Sequence, residues 1–307
     1  MVFLTGASGF IGSHLLRGAA GPFRFRCLVR PGSVNKILKN PSVEIVEGNL
    51  LSEDAVKIAM QGADTVLHLG ALVRTSSAEE IYRVNVEGTR RVVSEAMKQK
   101  VSRLIFVSTE NAMREDLSDA YASSKREAEN VVKDFKNHLI LRPCFVYGEG
   151  DDHGLGRLVA LAQKSPVVPL FGGLQGRIQP LYILDMVDYL IKALERPLTG
   201  EYMLAGPETL SLNDFIRQAC EFGPKQKPQI VLPRIFFKLA ALACAPLPAS
   251  IGWGPNQYKN IYYSRTYSIE KTVKDFGLAP RPVREGLTQW LSADKGLQKT
   301  VAEETRQ

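Results

Sequence analysis

Eight residues near the start of the chain, Thr5-Gly6-Ala7-Ser8-Gly9-Phe10-Ile11-Gly12, follow an apolar run over Met1–Leu4. They precede a helical pattern over Ser13–Ala20. A strand that breaks into three glycines and re-forms as a helix is how a chain seats a dinucleotide pyrophosphate. Gly6 permits the tight turn, Gly9 leaves the backbone bare for phosphate oxygens, and Gly12 lets the helix lie against the sheet. The free amides at the helix N-terminus then point at the anion. A turn needs glycine in any case, so the weight of the motif lies in its place between a strand and a helix.

The same alternation continues through the first half. Apolar strand candidates at Phe25–Val29, Val43–Val46, Thr65–Leu69, Leu104–Val107 and Leu139–Leu141 alternate with helical patterns at Ser52–Met60, Ala78–Lys100 and Ser118–Asn137. The strands are continuously apolar, which predicts an α/β fold with a doubly wound parallel sheet buried on both faces. After Pro143 glycine and proline become frequent, and Leu181–Glu195 resumes a strand-and-helix pattern that returns to the sheet. The expected division is a nucleotide-binding domain over 1–143 plus 181–204. A smaller C-terminal α/β substrate domain takes 144–180 plus 205–307, with a frayed polar tail from Ala293.

Bulk properties exclude several classes. The 307 residues are 45% hydrophobic and 23% charged, an ordinary globular composition. A net charge of +7 invites a nucleic-acid reading, but the basic residues are scattered among acidic ones. No Lys/Arg block with interleaved aromatics appears, so anionic small molecules are the expected partners. Cys27, Cys144, Cys220 and Cys244 lie far apart, with only four histidines. That spacing suggests neither disulfides nor a metal site, and it fits a reducing, cytoplasmic location. No signal peptide precedes the first strand, and the longest apolar stretch, Ile235–Pro248, is too short to span a bilayer.

The second informative motif is Tyr121-Ala122-Ser123-Ser124-Lys125. Four residues apart on a helix, the phenol and the ammonium share a face. A free tyrosine titrates near ~10. A nearby lysine and the positive charge of an oxidised nicotinamide would lower that value into the range of acid–base work. Thr109, at the end of the strand Leu104–Ser108, supplies a hydroxyl to orient a substrate oxygen, because sites of open α/β sheets lie at strand carboxyl ends.

With these residues in place the chain resembles the short-chain dehydrogenase/reductase superfamily, in its extended or atypical branch, the NAD(P)-dependent epimerase/dehydratase family. The likeness covers roughly 1–205. It runs through residues 5–12, Glu47-Gly48-Asn49-Leu50, His68-Leu69-Gly70-Ala71, Asn85-Val86-Glu87-Gly88-Thr89, Val107-Ser108-Thr109, Tyr121–Lys125, Leu141-Arg142-Pro143 and Val146-Tyr147-Gly148. It implies a Rossmann fold and a catalytic set of Thr109, Tyr121 and Lys125. It also implies that Gly6, Ser8, Gly9, Phe10, Ile11 and Gly12 hold the pyrophosphate, and that Asn49 and Leu50 flank the adenine. Leu69, Gly70 and Ala71 would line the ribose side, with Asn85 near the nicotinamide half or bridging helices as an amide. Val107, Tyr121, Lys125, Pro143 and Cys144 would surround the nicotinamide end.

Where NAD users carry an acid after the second strand, this chain has Arg30. Its guanidinium can pair with a 2′-phosphate, which favours NADP, with NAD as the alternative. The loop from Thr109 to Tyr121 is short for a sugar-nucleotide enzyme. This resembles atypical members, including relatives of an NADPH-binding accessory subunit of respiratory complex I. Two functions follow: an oxidoreductase moving hydride to or from a secondary alcohol or ketone, or a non-catalytic NADPH-binding subunit or redox sensor. Glu110 could protonate a leaving hydroxyl, or be simply solvated.

The substrate is either a nucleotide sugar or a hydrophobic alcohol. Arg157, Arg177, Arg217 and Arg265 are candidate diphosphate clamps. The apolar stretch Ile230–Ile251, with Phe236, Phe237, Leu239, Leu242 and Leu247 at near-helical spacing, packs the small domain or serves as a greasy lid or membrane-surface helix at 235–248. The helices Ala78–Lys100 and Ser118–Asn137 are where related proteins form a four-helix homodimer contact.

Overall fold

The computed structural model describes residues 1–18, 23–34, 41–73, 75, 77–115, 119–152, 154–174, 176–222, 227–244 and 266–292. Six strands come first: β1 (Val2–Thr5), β2 (Phe25–Val29), β3 (Val43–Glu47), β4 (Thr65–His68), β5 (Arg103–Val107) and β6 (His138–Pro143). Next come β7 (Val146–Tyr147), β8 (Val168–Phe171), β9 (Arg177–Ile178), β10 (Leu181–Tyr182), β11 (Gly200–Leu204), β12 (Leu210–Ser211) and β13 (Gln229–Leu232). The central sheet is parallel throughout and runs β11-β6-β5-β4-β1-β2-β3. Its order reverses between β1 and β4, which opens a crevice at their carboxyl ends.

Alternation along the strands fills both faces. Phe3, Leu28, Val66, Leu104, Phe106 and Ile140 form one core with the helices α2 (Glu53–Met60), α4 (Gly88–Lys98) and α5 (Ala120–Lys133). Leu4, Cys27, Leu67, Ile105 and Leu141 point the other way, toward α1 (Phe10–Gly18) and α7 (Ile183–Glu195). Burial on both sides is why the strands lack polar alternation. Ser52 and Asp119 cap α2 and α5 by accepting backbone N–H bonds, which fixes where those helices start.

Two expectations need correction. The pattern over Ala78–Lys100 is not one regular helix. A short α3 (Ala78–Tyr82) runs into a π turn at Arg83–Glu87 before α4, and that extra residue in the turn brings Asn85 inward. Leu181-Tyr182 does not rejoin the sheet, since β10 pairs with β7. The chain returns instead through β11, beside β6, after α7. Arg142 of β6 fastens that edge, donating to Glu129 on α5 and to Glu201 on β11.

The elements outside the sheet are small. β13 pairs with β8 and β12 with β9, alongside α6 (Leu155–Lys164) and α8 (Leu212–Glu221). A helix α9 (Arg234–Cys244) follows β13. The helices Glu270–Phe276 and 283–292 then close over α7, through Phe276 on Tyr189 and Arg281 on Asp185. The tail from Ala293 and the residues Leu247 and Arg265 lie outside the described residues.

Candidate active site

The carboxyl ends of β1, β4, β5 and β6 lie on one edge of the sheet, and the predicted residues gather there. Gly6 adopts φ +76°, and a side chain on it would sit 2.8 Å from the backbone of Leu69 and Gly70. The glycine turn is therefore pressed against the segment that leaves β4. A Cβ on Gly12 would lie 2.3 Å from the Gly6 carbonyl oxygen and 2.8 Å from the Ala7 Cα. Its close approach is thus to the turn itself, not to the strands as the sequence suggested. Ser13 N–H already donates to Gly9 O, so the amides of Phe10, Ile11 and Gly12 precede the helical ladder. Exposed Gly9 leaves that helix end accessible, with Ser8, Phe10 and Ile11 half-buried around it. These residues fit a pyrophosphate.

Beneath the turn runs a buried polar chain that the motifs contained but did not explain. Gly70 N–H donates to Thr5 Oγ1 at 3.0 Å, and Thr5 Oγ1 lies 2.6 Å from His68 Nδ1. His68 Nε2 lies 3.0 Å from Thr89 Oγ1, whose hydroxyl donates to the Asn85 carbonyl. Since Thr89 spends its proton there, it accepts from His68, which fixes the Nε2–H tautomer and makes Thr5 the donor to Nδ1. Full burial and the nearby Lys125 ammonium push the His68 pKa down to about 3, so the ring is neutral. Asn85 continues the chain with its amide. It accepts from Leu72 N–H at 2.7 Å and donates to Leu72 O and to Ser124 Oγ, each at 3.0 Å. Ser124 in turn donates to Tyr121 O. These bonds tie Asn85 between the segment after β4 and α5. Polar residues in apolar surroundings were the available signal for Thr5, His68 and Thr89. Only the folded chain makes them neighbours.

Thr109 is buried at the start of a 3-10 turn, Glu110–Met113, where its Oγ1 accepts from Asn111 N and Nδ2 at 3.2 Å. An Oγ1 that accepts both bonds keeps its own proton to donate. Arg126 of α5 clamps this turn by donating to the carbonyls of Ala112 and Arg114. Glu110 is buried within it, so the solvated reading of that carboxylate does not hold. Beside Thr109, Ser108 Oγ is buried without a hydrogen-bond partner among the described residues.

Lys125 is 2% exposed and donates to the Val107 carbonyl at 2.8 Å, with Nζ 3.9 Å from the Phe106 ring centroid. Burial pulls its pKa down to about 7, although Glu129 opposes the shift. Tyr121 is half-buried on the same helix. Burial and the Asp119 carboxylate push its phenol up to about 12, against the lowering expected from a lysine and an oxidised nicotinamide together. Lys125 turns its ammonium to a backbone carbonyl and an aromatic face. The phenol is left with burial and an acid.

The remaining candidates line the same edge. Leu50 packs against Gly70 and Gly88, either of which would meet it if it carried a Cβ. Exposed Asn49 accepts from Leu51 N–H. Arg30 is exposed at the end of β2, while Ala71 is half-buried beyond β4. Pro143 and Cys144 are buried at the end of β6, where Cys144 N–H donates to Leu204 O. Of the arginine clamp, Arg217 is ion-paired with Asp214 and Arg177 donates to Thr209 O. Helix α9 does not simply pack the small domain, as the plainer reading had it. Phe237 stacks on Phe171 at 4.1 Å, but Ile235, Phe236, Leu239 and Leu242 are exposed.

Comparison with known proteins decides the family, because residues 2–205 match the NAD dependent epimerase/dehydratase family across every motif above. The chain belongs to that family. It is 35% identical to ceramide reductase of Caulobacter vibrioides, over 65% of this chain and 62% of that protein. The match therefore spans less than two thirds of that relative. It is 22% identical to a 3 beta-hydroxysteroid dehydrogenase/Delta 5-->4-isomerase of Mycobacterium tuberculosis, over 99% of this chain and 93% of the relative. The fold superposes on UDP-glucuronic acid 4-epimerase from Bacillus cereus, solved with UDP-glucuronic acid and NAD. That likeness has a TM-score of 0.71 and 22% identity, covering 96% and 99% of the two chains. The relatives named here are a reductase, a dehydrogenase/isomerase and an epimerase, and the non-catalytic alternative finds no support among them. Among the described residues no helix is long and apolar enough to cross a membrane, and no His/Cys/Asp/Glu group could hold a metal.

Proposed function

We propose that the protein is a reductase or dehydrogenase of a hydrophobic secondary alcohol or ketone. The observation that carries this is the meeting of the glycine turn, Thr109 and the helix of Tyr121 and Lys125 at one sheet edge. A nicotinamide dinucleotide, when bound, supplies the hydride acceptor or donor. Phe10, Ile11 and Gly12 would hold its phosphates by their amides, and exposed Arg30 favours NADP over NAD. Thr109 donates to the substrate oxygen, and Tyr121 Oη takes or returns its proton. The phenol comes into the neutral range only beside added positive charge, which an oxidised nicotinamide provides. Lys125, buried on the same helix with its pKa pulled down to about 7, would resupply that proton.

The substrate class rests on the names of the ceramide and hydroxysteroid relatives, and on an arginine set partly committed to protein partners. We further read residues 1–143 plus 181–204 as the nucleotide domain and the rest as the substrate domain. A homodimer through the outer faces of α4 and α5 and a reducing, cytoplasmic setting complete the reading. The test follows NADPH and NADH absorbance with long-chain and steroidal ketones and with nucleotide sugars. Turnover of a lipid ketone, abolished in Tyr121→Phe with cofactor affinity retained, is the expected result. Undiminished turnover by Tyr121→Phe, or turnover of nucleotide sugars alone, overturns it.

A further inference from the structure

One surface of the molecule has no part in this chemistry. Val231 on β13 and Ile235, Phe236, Leu239 and Leu242 on α9 are each more than half exposed, with Ile230 beside them. Single exposed apolar residues need no explanation, but six on two consecutive elements form a patch. Phe237 ties the helix down through its stack on Phe171. Position 235 with 239 and 242 makes one stripe along the helix, and Phe236 widens it.

Charge says what covers the patch. Acids and bases intermingle over most of the chain, yet between Glu221 and Glu270 there is no aspartate or glutamate at all. The same stretch carries Lys225, Lys227, Arg234, Lys238, Lys259 and Arg265. Six of the seven net positive charges of the protein therefore fall in the segment that contains the apolar patch. Arg234 and Lys238 stand on the same helix as the exposed phenylalanine and leucines, and both are exposed. An apolar face on a segment that carries cations and no acids suits an interfacial helix that sinks into the headgroup boundary of an anionic bilayer. Its 11 residues are far too few to span one.

We propose that α9 and β13 dock this enzyme peripherally on anionic lipid surfaces, apolar side chains inserted and Arg234 and Lys238 at the headgroups. This deepens the reading above, since a substrate carried in a bilayer is best met by an enzyme seated on it. It stands or falls on its own measurement.

The full-length protein is sedimented with phosphatidylcholine vesicles, and with vesicles that also contain phosphatidylglycerol. The expected result is binding to the anionic vesicles that weakens with added salt. Phe236→Gln/Leu239→Gln should lower that partition by about tenfold or more, because two inserting side chains are lost. Both positions are exposed, so its thermal melt should match the parent. Lys238→Glu should weaken binding to anionic vesicles while leaving any neutral-vesicle binding unchanged. Absence of binding to anionic vesicles, or equal binding by the double variant, overturns the proposal. So does a double variant that dissociates a dimer in sedimentation velocity without affecting vesicles, which would assign the face to a second copy of the chain. Turnover of a detergent-dispersed ketone, measured alongside, keeps failure here separate from failure of the redox reading.

Discussion

The buried histidine beneath the glycine turn gives a prediction whose size follows from its surroundings. His68 is neutral in the folded protein with a pKa near 3, against 6.5 in the unfolded chain. Between those values the unfolded state binds a proton that the folded state refuses, so stability rises with pH up to about 6.5 and is then fully present. As pH falls below 6.5 the stabilisation is lost at about 1.4 kcal/mol per unit. From about pH 7.5 to about pH 5 the loss assigned to this one ring is about 2 kcal/mol. In His68→Gln the bonds to Thr5 and Thr89 are broken or strained, which costs about 1–3 kcal/mol near neutral pH. The variant carries no titrating ring, however, so its deficit should shrink by about 2 kcal/mol at the lower pH. Urea unfolding of both proteins at the two pH values measures this as a double difference, in which all other titrating groups cancel. A deficit that stays the same at both pH values would refute the buried neutral ring and the hydrogen-bond chain built on it.

Two further substitutions probe the cofactor end. In Gly12→Ala the new methyl meets the Gly6 carbonyl oxygen at 2.3 Å, a backbone atom that cannot yield without moving the turn. A loss of about 1–3 kcal/mol in unfolding free energy is expected, with weaker dinucleotide binding. Gly18→Ala on the same helix, where the nearest atom is Val187 Cγ1 at 3.5 Å, should be neutral or mildly stabilising. Equal effects at the two glycines would remove the steric argument. Arg30→Glu should weaken NADP binding roughly ten- to a hundredfold while sparing NAD, since a charge-assisted partner of the 2′-phosphate is replaced by a repelling acid. An unchanged ratio of the two affinities, read by fluorescence titration, would exclude Arg30 from cofactor choice.

Sequence and structure divide this protein along a physical line. Local rules act over a few residues, and what they govern could be read directly. The glycine turn between β1 and α1, the apolar strands buried on both faces, and the helical spacing of Tyr121 and Lys125 are of that kind. Interactions between residues far apart in the chain were beyond such rules. Lys125 turned to the Val107 carbonyl, 18 positions away, and burial raised the Tyr121 pKa. His68 met Thr5 across 63 positions, and Arg142 met Glu201 across 59. The strand β11 entered the sheet because β6 offered it an edge, which no property of residues 200–204 announces. Residue order determined that a dinucleotide crevice would form, because turns, caps and strand periodicity are short-range. Which protons reside in that crevice, and which apolar side chains are left facing outward, was decided only by burial and long-range hydrogen bonding in the folded chain.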